Sequence, residues 1–288
     1  MAAIHDSGKG LSQGARNALP LMLLLAVGFA APLLAVIAYS FMPPRSFGLM
    51  DPPTLANYAE IFSGNSYISF FWSLLFATLT VAILALVCYP IAYGLARVFG
   101  RWSAILTLLF TLPLFVSENV RLYGWILFFI KNGVLLGTLK AWFGLELDSW
   151  LFTHGIVLLG MIYVYLPFML FPMTLGVSMV PNDTREAAFD LGASRWQIFR
   201  EIELPLSMPG IMIGLLLTFV LAVGAITEAK VLGGQTIIPI TQDIEIAFTY
   251  AQNWPLGAAL AVLLMLVVGT LVLMVLKRFD LDAILGRR

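Results

Sequence analysis

Charge is what this sequence has least of: Asp, Glu, Lys and Arg make up 11% of its 288 residues, and 16 basic groups cancel 16 acidic ones. So few ionic groups cannot clothe a soluble domain of this length. With 60% hydrophobic residues and a mean hydropathy of +0.94, the chain reads as an integral membrane protein. A single cysteine, Cys88, excludes an intrachain disulfide. The two histidines, His5 and His154, lack the neighbouring Cys, His or carboxylate cluster that a metal site needs. No glycine-rich phosphate loop ending in Lys-Ser or Lys-Thr is present to cradle ATP, and nothing nominates a Ser-His-Asp arrangement. The expectation is a non-enzyme with no metal, no cofactor of its own and no nucleic-acid partner. Neither an internal repeat nor a low-complexity tract is visible.

Long apolar runs are what the chain has in abundance. Crossing a bilayer takes about 20 apolar residues, and only helices or closed barrels cross with every backbone group bonded. Runs at about 18–41, 69–96, 103 onward, 153–180, 209–229 and 255–276 qualify. They predict an all-α membrane protein of about six transmembrane helices, with the membrane domain over 18–278 and short tails at 1–17 and 279–288. The third run is interrupted by Pro113, Glu118 and Arg121. It reads as one broken crossing, followed by an interfacial or partly re-entrant helix from Val120 to Ile130. The first run is too long for a signal-peptide core and reads as a retained anchor helix. Pro167 and Pro172 predict a kink in the fourth run, and Gly210 with Gly214 predicts close helix packing in the fifth.

Orientation follows from where the few cations lie. With the N-terminus inside, eleven of the 16 Lys and Arg fall on the cytoplasmic side, and only Arg45, Arg121, Lys131, Lys140 and Lys230 fall outside. That imbalance obeys the positive-inside rule. It puts both termini and residues 183–205 in the cytoplasm.

Residues 183–205 form a polar interval between two apolar runs. Asp183 with Glu186 three positions on reads as a helix start, continued by Ala187, Ala188, Phe189 and Leu191. Gly192 is placed to end that helix in the left-handed region. Ser194 with Gln197 is a capping box opening a second helix. Pro205 and Pro209 should prevent its smooth continuation into the next run, so a helix-turn-helix on the membrane surface is expected.

The same interval, read as EAAFDLGASRWQIFREIELP, resembles the EAA signature of permease subunits in bacterial binding-protein-dependent ABC importers. Glu186, Ala187, Ala188, Gly192, Ile202, Leu204 and Pro205 stand at its fixed positions. The resemblance covers nearly the whole chain and narrows to the spermidine/putrescine-type branch. Pro113, Val120-Arg121-Leu122-Tyr123-Gly124-Trp125, Asn132-Gly133, Leu232-Gly233-Gly234 and the stretch from Asn253 to Ala259 are similar to that branch's pattern. It implies a cytoplasmic coupling loop that docks on a separate ATP-hydrolysing subunit. The implied partners are a second homologous permease, two ATP-binding subunits that hold ATP and Mg, and an extracytoplasmic solute-binding protein. The implied place is the bacterial inner membrane, and the implied cargo a small polar solute, amino-acid-like, opine or polyamine. An ion-gradient-driven secondary transporter is the alternative; it would show inverted repeats and paired mid-span carboxylates, and neither is visible.

Charged and aromatic residues at or inside the membrane complete the candidates. Glu118 and Arg121, three apart on a helix, either pair locally or line a solute path. Glu228 and Lys230 carry the same two readings, and mutual cancellation within each pair would favour a solute bearing both charge signs over a polyamine. Tyr123, Trp125 and Trp254 read as interfacial anchors or packing residues, with a solute cage as the other reading.

Overall fold

The computed structural model describes residues 13–48 and 50–278, and every regular element among them is helical. The tail segments 1–12 and 279–288 lie outside the described residues. The helices are α1 (Pro20–Ser40), α2 (Ala56–Ser63), α3 (Ser66–Val98) and α4 (Trp102–Phe115). Next come α5 (Glu118–Phe129), α6 (Val134–Phe143), α7 (His154–Ser178) and α8 (Asn182–Asp190). The chain ends with α9 (Arg195–Val223), α10 (Thr227–Val231), α11 (Ile240–Thr249) and α12 (Trp254–Lys277). Among the described residues, six helical stretches are long and apolar enough to cross a membrane: α1, α3, α5 with α6, α7, α9 and α12.

The bundle is built around α7, whose apolar window is 56% buried, with α9 at 44% and α3 at 28% packed beside it. Helix α1 has no buried residue in its window and lies against α12 at the periphery. Close approach of α7 and α9 needs glycine. A Cβ on Gly210 would lie 2.4 Å from the Pro172 carbonyl oxygen and 2.5 Å from the Gly176 Cα, and one on Gly214 would lie 3.0 Å from the Met169 oxygen. With no hydrophobic drive between helices in lipid, such backbone contact is what van der Waals packing of spans requires. Helix α7 runs unbroken through Pro167 and Pro172.

The third crossing is more divided than the sequence implied. Pro113 sits in a 3₁₀ turn at the end of α4, and Val116 and Ser117 are extended before α5 begins at Glu118. The expected interfacial helix from Val120 to Ile130 falls on α5, but it is α5 with α6 that is long and apolar enough to cross, whereas α4, where the third crossing was expected to begin, is a shorter apolar helix. Helix α6 was not foreseen in a segment read as an outer connection. Asn132, at φ 59°, turns the chain between α5 and α6, and Gly144, at φ 66°, ends α6. Helices α10 and α11 fold back between α9 and α12, where the Ile240 N–H donates to Ser73 Oγ at 2.8 Å.

Three π turns interrupt the spans, at Ala26–Ala30, Gly94–Val98 and Phe199–Glu203. The last overturns the expected break before the fifth run. Helix α9 passes from Arg195 straight into the membrane, because the wider turn bonds the Leu204 N–H to the Phe199 oxygen and seats Pro205 at the start of a fresh α-helical segment. A proline there has no N–H to lose.

Packing at the glycine contact sets the first expectation. Gly210→Val should lower the thermal midpoint of the detergent-solubilised protein by an amount equivalent to about 1–3 kcal/mol of overpacking. Gly269→Ala, whose Cβ meets nothing within 4 Å, should leave it unchanged. Equal melting of the two variants would show that α7 and α9 do not depend on this contact.

Candidate functional site

The connection between α7 and α9, together with the first turns of α9, holds every position of the signature. Helix α8 ends in a Schellman motif: the Ala193 N–H donates to Ala188 O at 3.0 Å and the Gly192 N–H to Phe189 O at 2.9 Å, with Gly192 at φ 84°. Only a residue that tolerates the left-handed region closes a helix this way. The capping box follows at once. Ser194 Oγ accepts from the Gln197 N–H at 3.3 Å, and Gln197 Oε1 accepts from the Ser194 N–H at 2.8 Å. Asp183 does not cap α8, contrary to expectation. Pro181 holds the N-cap position with no side-chain bond, and Asp183 lies in the first turn, where its charge opposes the helix dipole.

The signature residues divide between surface and support. Glu186, Ala187, Gly192 and Pro205 are exposed, while Ala188, Ile202 and Leu204 are half-buried. Three apolar side chains not nominated as contacts stand out beside them: Leu191 is 89% exposed, Trp196 66% and Phe189 45%. Their signal was a large apolar residue inside a polar, helix-capped interval.

The stem of this loop is tied to the spans by charge. Arg185 on α8 meets buried Glu203 on α9, with Nε and Oε1 2.5 Å apart. The Tyr93 hydroxyl on α3 donates to Glu203 Oε1 at 3.3 Å, and Arg185 Nη2 donates to the same hydroxyl at 3.4 Å. Arg97, four residues after Tyr93, donates to Asn182 Oδ1 at 2.6 Å, to Val177 O at 2.8 Å and to Val180 O. It thereby satisfies carbonyls that the end of α7 would leave open.

At the opposite end of the bundle the candidate path residues are arranged differently from the sequence reading. Glu118 and Arg121 form no ion pair among the described residues; the Arg121 guanidinium lies over the Tyr163 ring, 5.6 Å from its centroid. Lys230 does not pair with Glu228 but with Glu245 on α11. Glu228 is fully buried, neither carboxylate oxygen has a hydrogen-bond partner among the described residues, and Tyr165 is its polar neighbour. The expected cancellation of Glu228 by Lys230 is therefore absent, because the register of α10 against α11 brings Glu245 to the lysine instead.

The three aromatic candidates are accounted for by packing or surface. Trp125 stacks on Phe129 at 5.4 Å and meets Tyr163 edge-on. Trp254 meets Phe47 at 5.4 Å and Tyr39 at 6.4 Å, both edge-on. Tyr123 is 56% exposed.

A cavity of about 490 Å³ opens at this end between α3 and α11, lined by Asn65, Ser69, Trp72, Gln235 and Asp243 among others. Burial pushes the Asp243 carboxyl above its ordinary value, against the hydrogen bond from Ser69. A second cavity of about 480 Å³ adjoins it at Gln235 and Ile246 and includes Lys230 and Gln242. None of Ser69, Trp72, Gln235 or Asp243 was nominated from the sequence. The available signal was polarity concentrated between residues 235 and 245.

A family model described as the binding-protein-dependent transport system inner membrane component matches residues 89–280. The chain belongs to this family. It is similar to the spermidine/putrescine transport system permease protein PotB of Haemophilus influenzae, 32% identical over 239 residues that cover 80% of this chain and 82% of that protein. PotB of Escherichia coli is 31% identical over 251 residues, covering 84% and 89%. A solved bacterial alginate ABC transporter in complex with an alginate pentasaccharide-bound periplasmic protein has a chain of the same fold, with TM-score 0.74, 18% identity and coverage of 90% and 91%. The chain is thus an ABC-importer permease subunit, multi-pass in the inner membrane and of the polyamine branch, as its signature implied. Nothing supports the secondary-transporter alternative.

The Schellman end of α8 can be tested on the isolated permease. Gly192→Val should open the loop to trypsin at Arg195 roughly tenfold faster, since a β-branched residue in the left-handed region costs about 1–2 kcal/mol, whereas Gly192→Asn should stay near wild type. Nothing lies within 4 Å of a Cβ at this position, so crowding would not confuse the result. Indistinguishable cleavage of all three proteins would remove the role given to the left-handed turn.

Proposed function

We propose that this chain forms half of the translocation path of an importer, beside a second homologous permease, and that residues 183–205 dock on one of two separate subunits that bind ATP and Mg. The observation that carries the docking reading is a doubly capped loop presenting Leu191 and Trp196 to water beside Glu186. Large apolar side chains exposed on a rigid polar loop mark a contact surface. Closure of the nucleotide-bound ATPase pair would move α8, and the spans would re-orient so that a central cavity opens alternately to each side. An extracytoplasmic solute-binding protein would deliver the cargo at the far end, a reading supported by the periplasmic protein in the alginate complex. The positive-inside distribution supports cytoplasmic termini.

For the cargo we take a polyamine ahead of an amino-acid-like or opine solute. The PotB relatives support it, and so does the distribution of charge. Lys230 is occupied by Glu245, while Asp243 faces a cavity that also presents the Trp72 ring and neutral amides. A carboxylate beside an aromatic face suits an alkylammonium group.

Uptake by the complete importer in proteoliposomes tests the cargo. Spermidine or putrescine should be taken up in preference to opines and amino acids. Asp243→Asn should raise the polyamine KM about tenfold with little change in kcat, as expected for loss of one hydrogen bond to a charged group. Selective uptake of a zwitterionic solute, or an unchanged KM, would overturn the polyamine reading.

Topology is checked separately, with single cysteines at Ser194 and Gly144 in a Cys88→Ala background. They should label from opposite membrane faces, and labelling from one face would refute the arrangement.

A further inference from the structure

We infer that Glu203 is a coupling latch: with Arg185 and Tyr93 it converts displacement of the docking helix α8 into movement of α3 and α9. The inference rests on the reading that α8 docks on an ATPase. Glu203 touches no part of a solute path, so it is a positioning residue that acts through its partners.

A carboxylate at this place asks for an explanation. Glu203 is only 4% exposed and stands where the polar start of α9 gives way to the largely apolar segment Leu204–Val223. Removing a charge from water costs several kcal/mol, and a buried ion pair is often no more stabilising than a well-packed apolar pair. Stability alone therefore does not favour Glu203. What the charge supplies is a directional tie joining three helices: Arg185 from α8, Tyr93 from α3 and Glu203 from α9.

The backbone around the tie is built to yield. Glu203 closes the π turn at Phe199–Glu203, and Arg97, the other residue holding α8, lies in the π turn at Gly94–Val98. Such turns interrupt the regular ladder and are concentrated at functional sites in helices. Both ties reach back to α3, one through Tyr93 and one through Arg97, and they grip α8 at Arg185 and Asn182. The exposed Leu191 lies six residues beyond Arg185, about 9 Å along a helix. A push delivered there acts on a lever whose fulcrum is the latch. If α8 were merely packed, the motion would dissipate by sliding; a short charged tie obliges α3 and α9 to follow.

The test uses the complete importer in proteoliposomes, with hydrolysis and uptake read from the same vesicles. In complexes purified as assembled, Glu203→Gln and Arg185→Gln should lower uptake per ATP hydrolysed about tenfold. Tyr93→Phe should lower it about threefold. The Arg185→Gln, Glu203→Gln double variant should be no worse than either single one, because the three groups act as one unit. Unchanged uptake per ATP, or single effects that multiply in the double variant, would overturn the latch. Should either charge variant fail to assemble, Tyr93→Phe, which removes one hydroxyl, decides the matter by the same ratio. A cysteine at Leu191 separates the underlying reading: failure to cross-link to the ATPase refutes docking itself, whereas cross-linking with an unchanged ratio refutes only the latch.

Discussion

The approach of α7 to α9 is the contact on which the rest of this molecule is hung. Gly176, Gly210 and Gly214 let the two backbones meet where any side chain would hold them apart. Gly176 is two residues from the end of α7, and Gly210 is about four turns into α9 from Arg195. The stems of the signature loop are therefore fixed by backbone contact. Lipid offers no hydrophobic reward for bringing helices together, so this precision has to come from shape. Once the stems are fixed, a loop of fewer than 20 residues has few ways to close.

Within those limits, the loop's conformation is set by hydrogen-bond accounting at two helix ends. The Schellman bonds at Ala188 and Phe189 and the reciprocal box at Ser194 and Gln197 leave little of the turn unbonded. A cap of this kind contributes about 1 kcal/mol, small beside the bundle but large against the few states available to a short loop. The consequence is that Leu191 and Trp196 are exposed on rigid supports. An apolar side chain on a mobile loop would fold back onto the bilayer; here both are held out in water.

These caps were legible in the sequence because their chemistry is local. Gly192, Ser194 and Gln197 each act within five residues, and the structure agrees with all three. Local rules failed where a distant group or a different helix register intervened. Asp183 looked like a cap, but the chain enters α8 from Pro181 with no side-chain bond. Pro205 looked like a break, and a π turn absorbs it by shifting the bonding by one residue. Lys230 looked like the partner of Glu228, yet α11, whose placement depends on tertiary packing, brings Glu245 to it. Asp243 and Trp72 are 171 positions apart and meet only across a cavity. Span number and the capped turn of the loop could be read from pattern, whereas charge pairing at the far end could not.

The two ends of the bundle treat charge differently. At the signature end Arg97 is held by two backbone carbonyls and an amide oxygen and Arg185 by Glu203, although the Nε of each lacks a hydrogen-bond partner among the described residues. Engaged charges make stiff connections, which would suit the coupling role proposed for this end. At the far end Glu228 keeps both oxygens unpartnered among the described residues, Arg121 has guanidinium nitrogens in the same condition, and Asp243 is held half-buried beside a cavity. Buried groups left in that state cost free energy that a well-packed apolar end would not incur. At the far end that cost falls on both oxygens of one carboxylate, and a change of partner would relieve it. A rearranged neighbour in an alternate state would recover that free energy. Under the proposed function, stiffness at the loop would deliver motion, and unmet polarity at the far end would make the helices there responsive to a change of partner.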